Sequence, residues 1–511
     1  MPPHDLGRKS LLLFASGWST TVIGMLISIL IARGLGPAAM GSIGLGLGLA
    51  GLVMAALLPG FGQAHLKRLA EGQDPGRCLG TMAAIQAALT ILLLLALGGV
   101  ATVHGLLDSP ELTAVFLFML ASQVATSFAE VSLRVFVARG WVVPHALILL
   151  AGRLVRLVTT VAILAWIPRV TWVAAAFALE GVLNGLVATA VLVTRYGVSV
   201  RPPTRESLGG YWSYARPFLV TTPIALFQDS VDRYLVGRWA GLAAAGYYHV
   251  ARALWEALSS LLAPPGTFIF TRLAALYARR TPAGDREARD FFVGAVDKML
   301  FVTIPLAFGF WALAGPLIEL LYGASFRPAT LTLRILVLAA LAASVVNPYT
   351  LIVYALEEAR RFIPVNVLRV LLYLAVLWLL VPAHPELRLG ALSGGHPGAA
   401  VARLVLLLFP AWVYWRWTGE LAGIPLYRRT AVYLGGFALM ALGYHGLLRL
   451  LTGAPDAGPV IAVPIALVAL GAYLAALRAV HPGTRDNLAY AASLLSPARF
   501  HAFLREGIRG G

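Results

Sequence analysis

Cysteine and charge are the scarcest features of this chain. Cys78 is the single cysteine among 511 residues, which excludes a disulfide within the chain and argues against a cysteine-based metal site. Charged residues make up 12% of the sequence, compared with about 25% in an average soluble protein. Acidic residues are especially rare near the start, where no Asp or Glu lies between Leu6 and His65. This composition argues against a soluble, disulfide-bonded domain.

Motifs of soluble enzymes are also missing. The segment GSIGLGLGLAG at 41–51 has glycine spacings like those of a dinucleotide-binding loop, but it lies inside an apolar helix and follows no strand. Gly44 and Gly48 instead form a small-xxx-small pair, which is typical of close helix packing in membranes. The ten histidines show no metal-ligand spacing. We therefore expect no catalytic residue, no cofactor and no metal.

Long apolar stretches are what the chain has in abundance, because 59% of its residues are hydrophobic. Stretches of about 20 apolar residues suffice to cross a hydrocarbon core of about 30 Å. The sequence predicts fourteen such helices, at 10–32, 41–61, 79–103, 112–133, 142–167, 171–193, 212–236, 243–265, 292–314, 330–354, 362–382, 398–417, 430–451 and 458–478. The first is too long for a signal peptide and lacks a small-residue cleavage site. The pattern predicts an all-α polytopic membrane protein.

The formal net charge of +17 indicates membrane orientation and not nucleic-acid binding. Most of the 40 Lys and Arg residues fall in the tails and alternate loops on one side of the predicted helices. The positive-inside rule assigns that side, and both termini, to the cytoplasm. We expect a multi-pass protein of the membrane, with attraction to anionic lipids as a secondary effect of its basic residues.

One motif occurs twice, 205 residues apart. Residues 30–41 read LIARGLGPAAMG and residues 235–246 read LVGRWAGLAAAG, so that an arginine and two glycines coincide without a gap. A second pair of similar segments follows the two copies, KRLA at 67–70 and TRLA at 271–274. Similarity at this distance indicates a duplicated lobe. In membrane proteins it is typical of transporters whose substrate path lies between two repeated halves.

The same segments resemble a known family. ARGLGPAAMG, the Gly-rich second helix, FGQAHLKRLAE at 61–71 and DSVDRYLVGRWAGLAAAGYYHVARAL at 229–254 are similar to the polysaccharide-type flippases of the multidrug/oligosaccharidyl-lipid/polysaccharide exporter superfamily. The resemblance implies two six-helix lobes in a V around a central cavity, followed here by two extra helices. It also implies transfer of undecaprenyl-pyrophosphate-linked oligosaccharide across the bacterial inner membrane, with a polysaccharide polymerase and a chain-length regulator as expected partners.

The expected domains follow from the repeat and the resemblance. They are an N-terminal lobe at 1–200, a second lobe at 201–418, an extra helix pair at 419–480 and an amphipathic cytoplasmic tail at 481–511. A short amphipathic surface helix is also expected within 271–291.

Ionisable residues inside apolar helices are the candidate site, because they are costly when they face lipid and so usually face a cavity or a partner. Arginines at i and i+3 on one helix face suit phosphate oxygens through the guanidinium fork. The candidates for the cavity are Arg153, Arg156, Glu180, Asp229, Arg252, Glu256 and Arg369.

Structural roles compete with substrate binding for most of these residues. Arg252 and Glu256 can neutralise each other, as can Glu130 and Arg134, and Arg153 and Arg156 can pair with Glu180. Arg403, close to a helix end, is expected to extend toward the membrane interface. Asp232 and Arg233 are expected to make a gate or turn contact, and Arg33 and Arg238 to anchor helix ends.

Two other functions remain open. A cation-coupled drug or metabolite exporter of the same superfamily usually has twelve helices and an acidic first-lobe site, which the gap in acidic residues before His65 disfavours. A membrane-embedded polymerase, ligase or glycosyltransferase normally carries a large outer loop with catalytic residues, and no predicted outer loop here is long enough.

Overall fold

The computed structural model describes residues 3–55, 60–104, 109–216, 218–262, 265–279, 281–356, 361–382, 394–422, 428–453, 458–480 and Asn487. Regular secondary structure in this part of the chain is entirely helical. The first nine helices are α1 (Pro3–Ala55), α2 (Phe61–Ala70), α3 (Pro75–His104), α4 (Pro110–Ala138), α5 (Val142–Trp166), α6 (Val170–Tyr196), α7 (Arg205–Ala215), α8 (Phe218–Ala240) and α9 (Leu242–Leu262). The next nine are α10 (Pro265–Tyr277), α11 (Pro282–Ala312), α12 (Ala314–Tyr322), α13 (Ala329–Ala355), α14 (Phe362–Leu380), α15 (His396–Leu408), α16 (Ala411–Ala422), α17 (Arg428–Thr452) and α18 (Pro459–Val480).

The predicted all-α polytopic membrane fold is confirmed. Each of the fourteen predicted spans coincides with a helix, with half of a long helix or, at 398–417, with the successive helices α15 and α16. Within the described ranges, 11 helical stretches are long and apolar enough to cross a membrane, and the first of them, Ser16–Ala55, covers most of two predicted spans. The stretches α8 and α9 fall outside those 11, and polar residues such as Asp229, Arg233 and Arg252 lower their hydropathy.

Local sequence signals explain where several helices begin and end. Ser109 accepts a hydrogen bond from the Leu112 amide at 3.2 Å and Pro110 follows it, so α4 starts with a capped end. Thr281 caps α11 in the same way, through the Gly284 amide at 3.1 Å. The surface helix predicted within 271–291 coincides in part with the end of α10, and the Thr281 cap marks the start of α11.

The two copies of the repeated motif bend at the same glycine. Gly36 interrupts α1 with a φ of 79°, and Gly241 separates α8 from α9 with a φ of 88°. Both values lie in the left-handed region that glycine enters without steric cost. The shared glycine therefore marks a turn between two membrane helices in each copy.

The two motif copies also pack directly against each other. A Cβ atom on Gly41 would overlap the carbonyl oxygen of Leu242, and a Cβ atom on Gly246 would overlap that of Pro37. These two contacts exchange equivalent residues, since Pro37 and Gly41 correspond to Leu242 and Gly246 in the 205-residue repeat. One turn later His249 lies against its own equivalent, Gly44. A Cβ atom placed on Gly44 would be 3.3 Å from the His249 Cβ. The paired positions advance together, so the two helices run in the same direction at a local two-fold contact.

The short helices α2 and α7 are joined by a buried hydrogen-bonded cluster. His65 on α2 donates from Nε2 to the Val131 carbonyl oxygen at 3.0 Å and accepts at Nδ1 from the Tyr211 hydroxyl of α7 at 2.7 Å. Both side chains are buried. Burial lowers the pKa of His65 to about 4 and raises the pKa of Tyr211. The imidazole is therefore neutral at physiological pH and holds the segment after α6 against α2.

The chain divides into two compact units, the first extending to His249 and the second beginning at Val250. In the first unit α4 packs on α6, and α1 packs on α5 and α8. In the second unit α13 packs on α15 and α11, and the extra pair α17 and α18 contacts α11. This division by packing assigns α7 and α8 to the first unit, because α8 packs on α1. The six-helix lobes and the later boundaries predicted from the repeat stay a prediction.

The extra helix α17 is attached to α11 by aromatic rings and one buried polar cluster. Phe437 lies between Phe308 and Trp311, with ring centroids 6.3 and 6.1 Å away. Asp297 accepts hydrogen bonds from Tyr433 at 3.3 Å and from the Asn487 side-chain amide at 2.9 Å. Asn487 is the one described residue of the tail predicted at 481–511, and the rest of that tail lies outside the described residues.

Candidate functional site

Three candidate residues of the first unit form one ionic cluster between α5 and α6. Arg156 Nη1 lies 2.8 Å from one Glu180 carboxylate oxygen, and Arg153 Nε lies 3.4 Å from the other oxygen. The Arg156 guanidinium also stacks 4.2 Å from the centre of the Phe177 ring. The predicted association of the two arginines with Glu180 is present in the structure. Two cations and one carboxylate leave this cluster, defined here as the α5–α6 cluster, with one net positive charge.

The two arginines of this cluster differ in exposure. The side chains of Arg156 and Glu180 are 8% and 11% exposed, whereas that of Arg153 is 33% exposed. Arg156 and Glu180 therefore form a buried pair that fixes α5 to α6. Arg153, at a longer distance from the carboxylate, is the member with the most accessible side chain.

The candidates Arg252 and Glu256 of α9 form an ion pair in the second unit. The Arg252 Nε atom donates to Glu256 at 2.8 Å across one helical turn. Arg252 is 4% exposed and Glu256 is 48% exposed at the side chain. The arginine is thus buried in the unit, while its carboxylate partner reaches the surface.

Aromatic residues connect Arg252 to a second buried arginine. The Arg252 and Arg403 guanidinium carbons lie 5.9 and 5.5 Å from the ring centre of Trp255. Arg403 also lies 5.7 Å from the ring centre of Tyr373 on α14. These are cation–π distances, at which a ring face attracts a guanidinium. We name Arg252, Trp255, Glu256, Tyr373 and Arg403 the α9–α14–α15 cluster.

The position of Arg403 corrects the sequence interpretation. Arg403 does not extend to the interface as expected, because it is buried with 4% of its surface exposed. Packing of α15 against α14 and α13 covers it. Trp255 and Tyr373 are not among the candidates predicted from the sequence. The signal that identifies them is an aromatic residue within one helical turn of a membrane arginine, since Trp255 is three residues after Arg252 and Tyr373 is four after Arg369.

The remaining candidates are Arg369 and Asp229. Arg369 is half-buried on α14, one turn before Tyr373. Asp229 is exposed on α8. Close to it, Asp232 is fully buried and accepts hydrogen bonds from the Tyr248 hydroxyl at 2.6 Å and the Arg233 amide at 2.8 Å. Asp232 therefore makes a contact between α8 and α9 within the first unit.

The family of the chain is shown by a match over more than half of its length. Residues 18–331 match the family described as polysaccharide biosynthesis protein. The chain belongs to this polysaccharide biosynthesis family. The match includes the α5–α6 cluster and the Arg252–Glu256 pair, whereas Arg369 and Arg403 lie beyond it. No curated protein matches the chain.

Solved structures show which fold this member of the polysaccharide biosynthesis family adopts. The lipid II flippase MurJ, in an inward closed conformation, is 13% identical with a TM-score of 0.70, over 92% of this chain and 99% of MurJ. A multidrug resistance MATE family transporter of the MOP superfamily, in an inward-facing conformation, is 16% identical with a TM-score of 0.63, over 81% of this chain and 96% of the transporter. The chain therefore shares its fold with MurJ and with the MATE transporter.

Proposed function

We propose that this protein is a flippase that moves undecaprenyl-pyrophosphate-linked oligosaccharide between the leaflets of the bacterial inner membrane. The observation that carries the proposal is membership of the polysaccharide biosynthesis family in a chain with a membrane transporter fold. Polysaccharide units assembled on a lipid carrier in the cytoplasm must cross the membrane before they are used outside. A transporter in such a family fits that step, and catalysis is not required for it.

Arginines inside the membrane helices supply chemistry suited to the pyrophosphate. A guanidinium stays charged at any working pH and binds two phosphate oxygens at once. In the first unit Arg153 has a partly accessible side chain beside the Arg156–Glu180 pair. In the second unit Arg252 and Arg369 are the proposed counterparts. The positive excess of the α5–α6 cluster favours an anionic ligand over a cationic drug.

Transport would follow from alternating access between the two predicted lobes, 1–200 and 201–418. The polyprenyl tail stays in lipid while the pyrophosphate and sugars pass between the lobes. A ligand moves such an equilibrium only if it binds the two conformations with different free energies. Glu256 and Asp229, which are both exposed, are the carboxylates proposed to take up a proton when the empty carrier returns.

A polysaccharide polymerase and a chain-length regulator are the proposed partners, because they would use the translocated unit on the far side of the membrane. The cation-coupled exporter remains the second candidate, since a MATE transporter shares the fold. The absence of acidic residues between Leu6 and His65 disfavours it, because a coupling cation beside α1 beyond Leu6 would have no carboxylate ligand from this helix.

Complementation tests the proposal. The chain is expressed in a bacterium that lacks its own oligosaccharide flippase, and lipid-linked sugars are identified by mass spectrometry. The proposal expects restored surface polysaccharide and loss of the accumulated lipid-linked unit. Unchanged accumulation for several different repeat units, together with export of a cationic dye, would favour the exporter instead.

A further inference from the structure

A groove of about 410 Å³ lies on the side of the first unit, between α3, α4 and α6. We name it the lateral groove. Its lining is apolar, with Ala83, Phe128, Gly185 and Leu186 among its residues. The polar pair that it contains, Ser132 and Thr189, is satisfied by a mutual hydrogen bond of 2.8 Å. The groove therefore offers dispersion contacts and no unsatisfied polar group, as a hydrocarbon chain requires.

The length of the lateral groove along α6 is close to the thickness of one membrane leaflet. On α6 it extends from Gly181 to Thr189, which is about 12 Å at 1.5 Å per residue. Half of a hydrocarbon core of about 30 Å is about 15 Å. Leu186 beside it is 63% exposed and Val200 at its end is 55% exposed. An apolar groove of this length with exposed apolar edges fits a single lipid tail lying along the helices.

The end of the groove at Val200 is built by a close backbone contact. A Cβ atom on Gly76 or Gly80 of α3 would overlap the carbonyl oxygens of Ser199 and Arg201, respectively. The Arg201 amide also donates to the Gly76 carbonyl oxygen at 3.0 Å. These contacts fix the segment after α6 across the start of α3, so that Val200 closes the groove and the Arg201 side chain extends from its rim.

This rim carries an excess of positive charge. Arg77, Arg195 and Arg201 are exposed around it, and Asp74 is the carboxylate that approaches them, 3.3 Å from Arg201. That ion pair is solvent-exposed and therefore weak. The nearby helix α7 presents Trp212, which is 56% exposed, and tryptophan is enriched at membrane interfaces. The rim thus lies where a lipid headgroup meets water.

We propose that the lateral groove binds one acyl chain of an anionic membrane phospholipid, whose phosphate contacts Arg77 and Arg201. The apolar lining takes the tail and the basic rim takes the headgroup. Each basic residue near an anionic membrane surface contributes about 1 kcal/mol, so two arginines predict an affinity about thirtyfold higher for an anionic lipid than for a zwitterionic one. The site is independent of what the protein transports.

Native mass spectrometry of the full chain tests the proposal, with phosphatidylglycerol as the probe and phosphatidylethanolamine as the zwitterionic comparison. The double variant Arg77→Gln with Arg201→Gln should lose the preference, and Ala83→Phe should weaken binding of both lipids by filling the groove. Ala88→Phe, at an exposed position of the same helix, and Arg286→Gln, at an exposed position of the second unit, are the matched controls and should bind as the wild type does.

A second measurement covers the case in which Ala83→Phe fails to fold. A photo-crosslinking residue at Leu186 should capture phosphatidylglycerol when Arg77 and Arg201 are intact. It should capture much less when both arginines are replaced by glutamine. Equal retention of the two lipids by the wild type would overturn the proposal. Preferential capture of a polyprenyl lipid at Leu186, or unchanged retention in well-folded Ala83→Phe, would overturn it as well.

Discussion

At the scale of single residues, the buried arginines are balanced by aromatic rings as well as by carboxylates. Arg156 has both Glu180 and Phe177 within reach. Arg403 lies close to Trp255 and Tyr373. A ring face attracts a guanidinium without neutralising its charge. Such an arginine can therefore remain charged inside a membrane protein and still attract an anionic ligand.

Removing the carboxylate of the buried pair should be costly. We expect Glu180→Gln to lower the free energy of unfolding by about 3 kcal/mol, because it leaves the buried Arg156 charge without its partner. Glu130→Gln removes the carboxylate of an exposed pair with Arg134 in the same unit and should cost at most about 1 kcal/mol. Thermal unfolding of the two purified variants in the same detergent measures the difference. Equal losses would contradict a buried structural pair.

The sequence identified the charged members of both clusters and missed the aromatic ones. Arginine and glutamate inside apolar helices are visible because lipid penalises them. Trp255 and Tyr373 are not visible in that way, since aromatic residues are ordinary in membrane helices. The position of Arg403 close to a helix end predicts that it reaches the interface. Its burial is determined instead by packing between helices, which hydropathy does not report.

At the scale of helices, the repeated glycine motif explains how two pairs of helices approach each other. In each copy a glycine with positive φ makes the turn, and five residues later another glycine allows backbone contact with the other copy. The identical residues at a spacing of 205 predict the duplication. It did not predict that the copies touch, because a repeat specifies similar folding and not contact.

Adding one methyl group at this contact should be destabilising. We expect Gly41→Ala to lower the free energy of unfolding by about 1–3 kcal/mol, because its Cβ would overlap backbone that cannot move alone. Gly17→Ala, on the same helix with nothing within 4 Å of its Cβ, should be neutral or stabilising. Melting temperatures of the two variants measure this. Similar melting temperatures would show that the contact is not close.

The buried histidine between α2 and α7 predicts a pH dependence of stability. Its folded pKa of about 4 is below the unfolded value of about 6.5. The unfolded chain therefore binds a proton between pH 6.5 and 4 that the folded chain does not bind. His65 should lower stability as the pH falls through this window, by about 3 kcal/mol in full.

This dependence is measured by comparing unfolding of the wild type and His65→Gln at pH 7.5 and pH 4.5. The wild type should lose more stability than the variant between these values. Tyr211→Phe keeps the histidine and should retain a pH-dependent loss. Parallel curves for the wild type and His65→Gln would mean that His65 is protonated in the folded protein or exposed.

At the scale of the whole molecule, the distribution of basic residues predicts the orientation in the membrane. Reporter fusions after residue 75, within 275–290 and at the C-terminus should report cytoplasm, while fusions at Asp108 and within 384–396 should report periplasm. The reason is the excess of Lys and Arg on one side of the predicted spans. Two adjacent fusions with reversed results would contradict the assignment of helices.

The extent of the fold was predictable from the sequence because hydrophobic length alone identifies membrane helices. The helix boundaries at Thr281 and Gly36 required knowledge of caps and of backbone conformation. The attachment of α8 to α1 in one compact unit depends on close contacts of Gly48 and Gly51 with α8. Hydropathy does not report such contacts, and so the boundary of the packed unit differs from that of the repeat.

The most direct test of the account is flipping of a lipid-linked oligosaccharide by the purified protein in proteoliposomes. Transfer is measured as the fraction of sugar that becomes accessible to an added glycosidase. The account predicts transfer by the wild type. It predicts slower transfer by Arg→Lys variants at Arg153, Arg252 or Arg369 and a still larger loss by Arg→Ala, roughly tenfold to a hundredfold for a lost charge-assisted contact of about 1.5–3 kcal/mol. Wild-type protein that is folded and inserted but transfers no lipid-linked sugar, or three Ala variants that transfer it at the wild-type rate, would contradict the account.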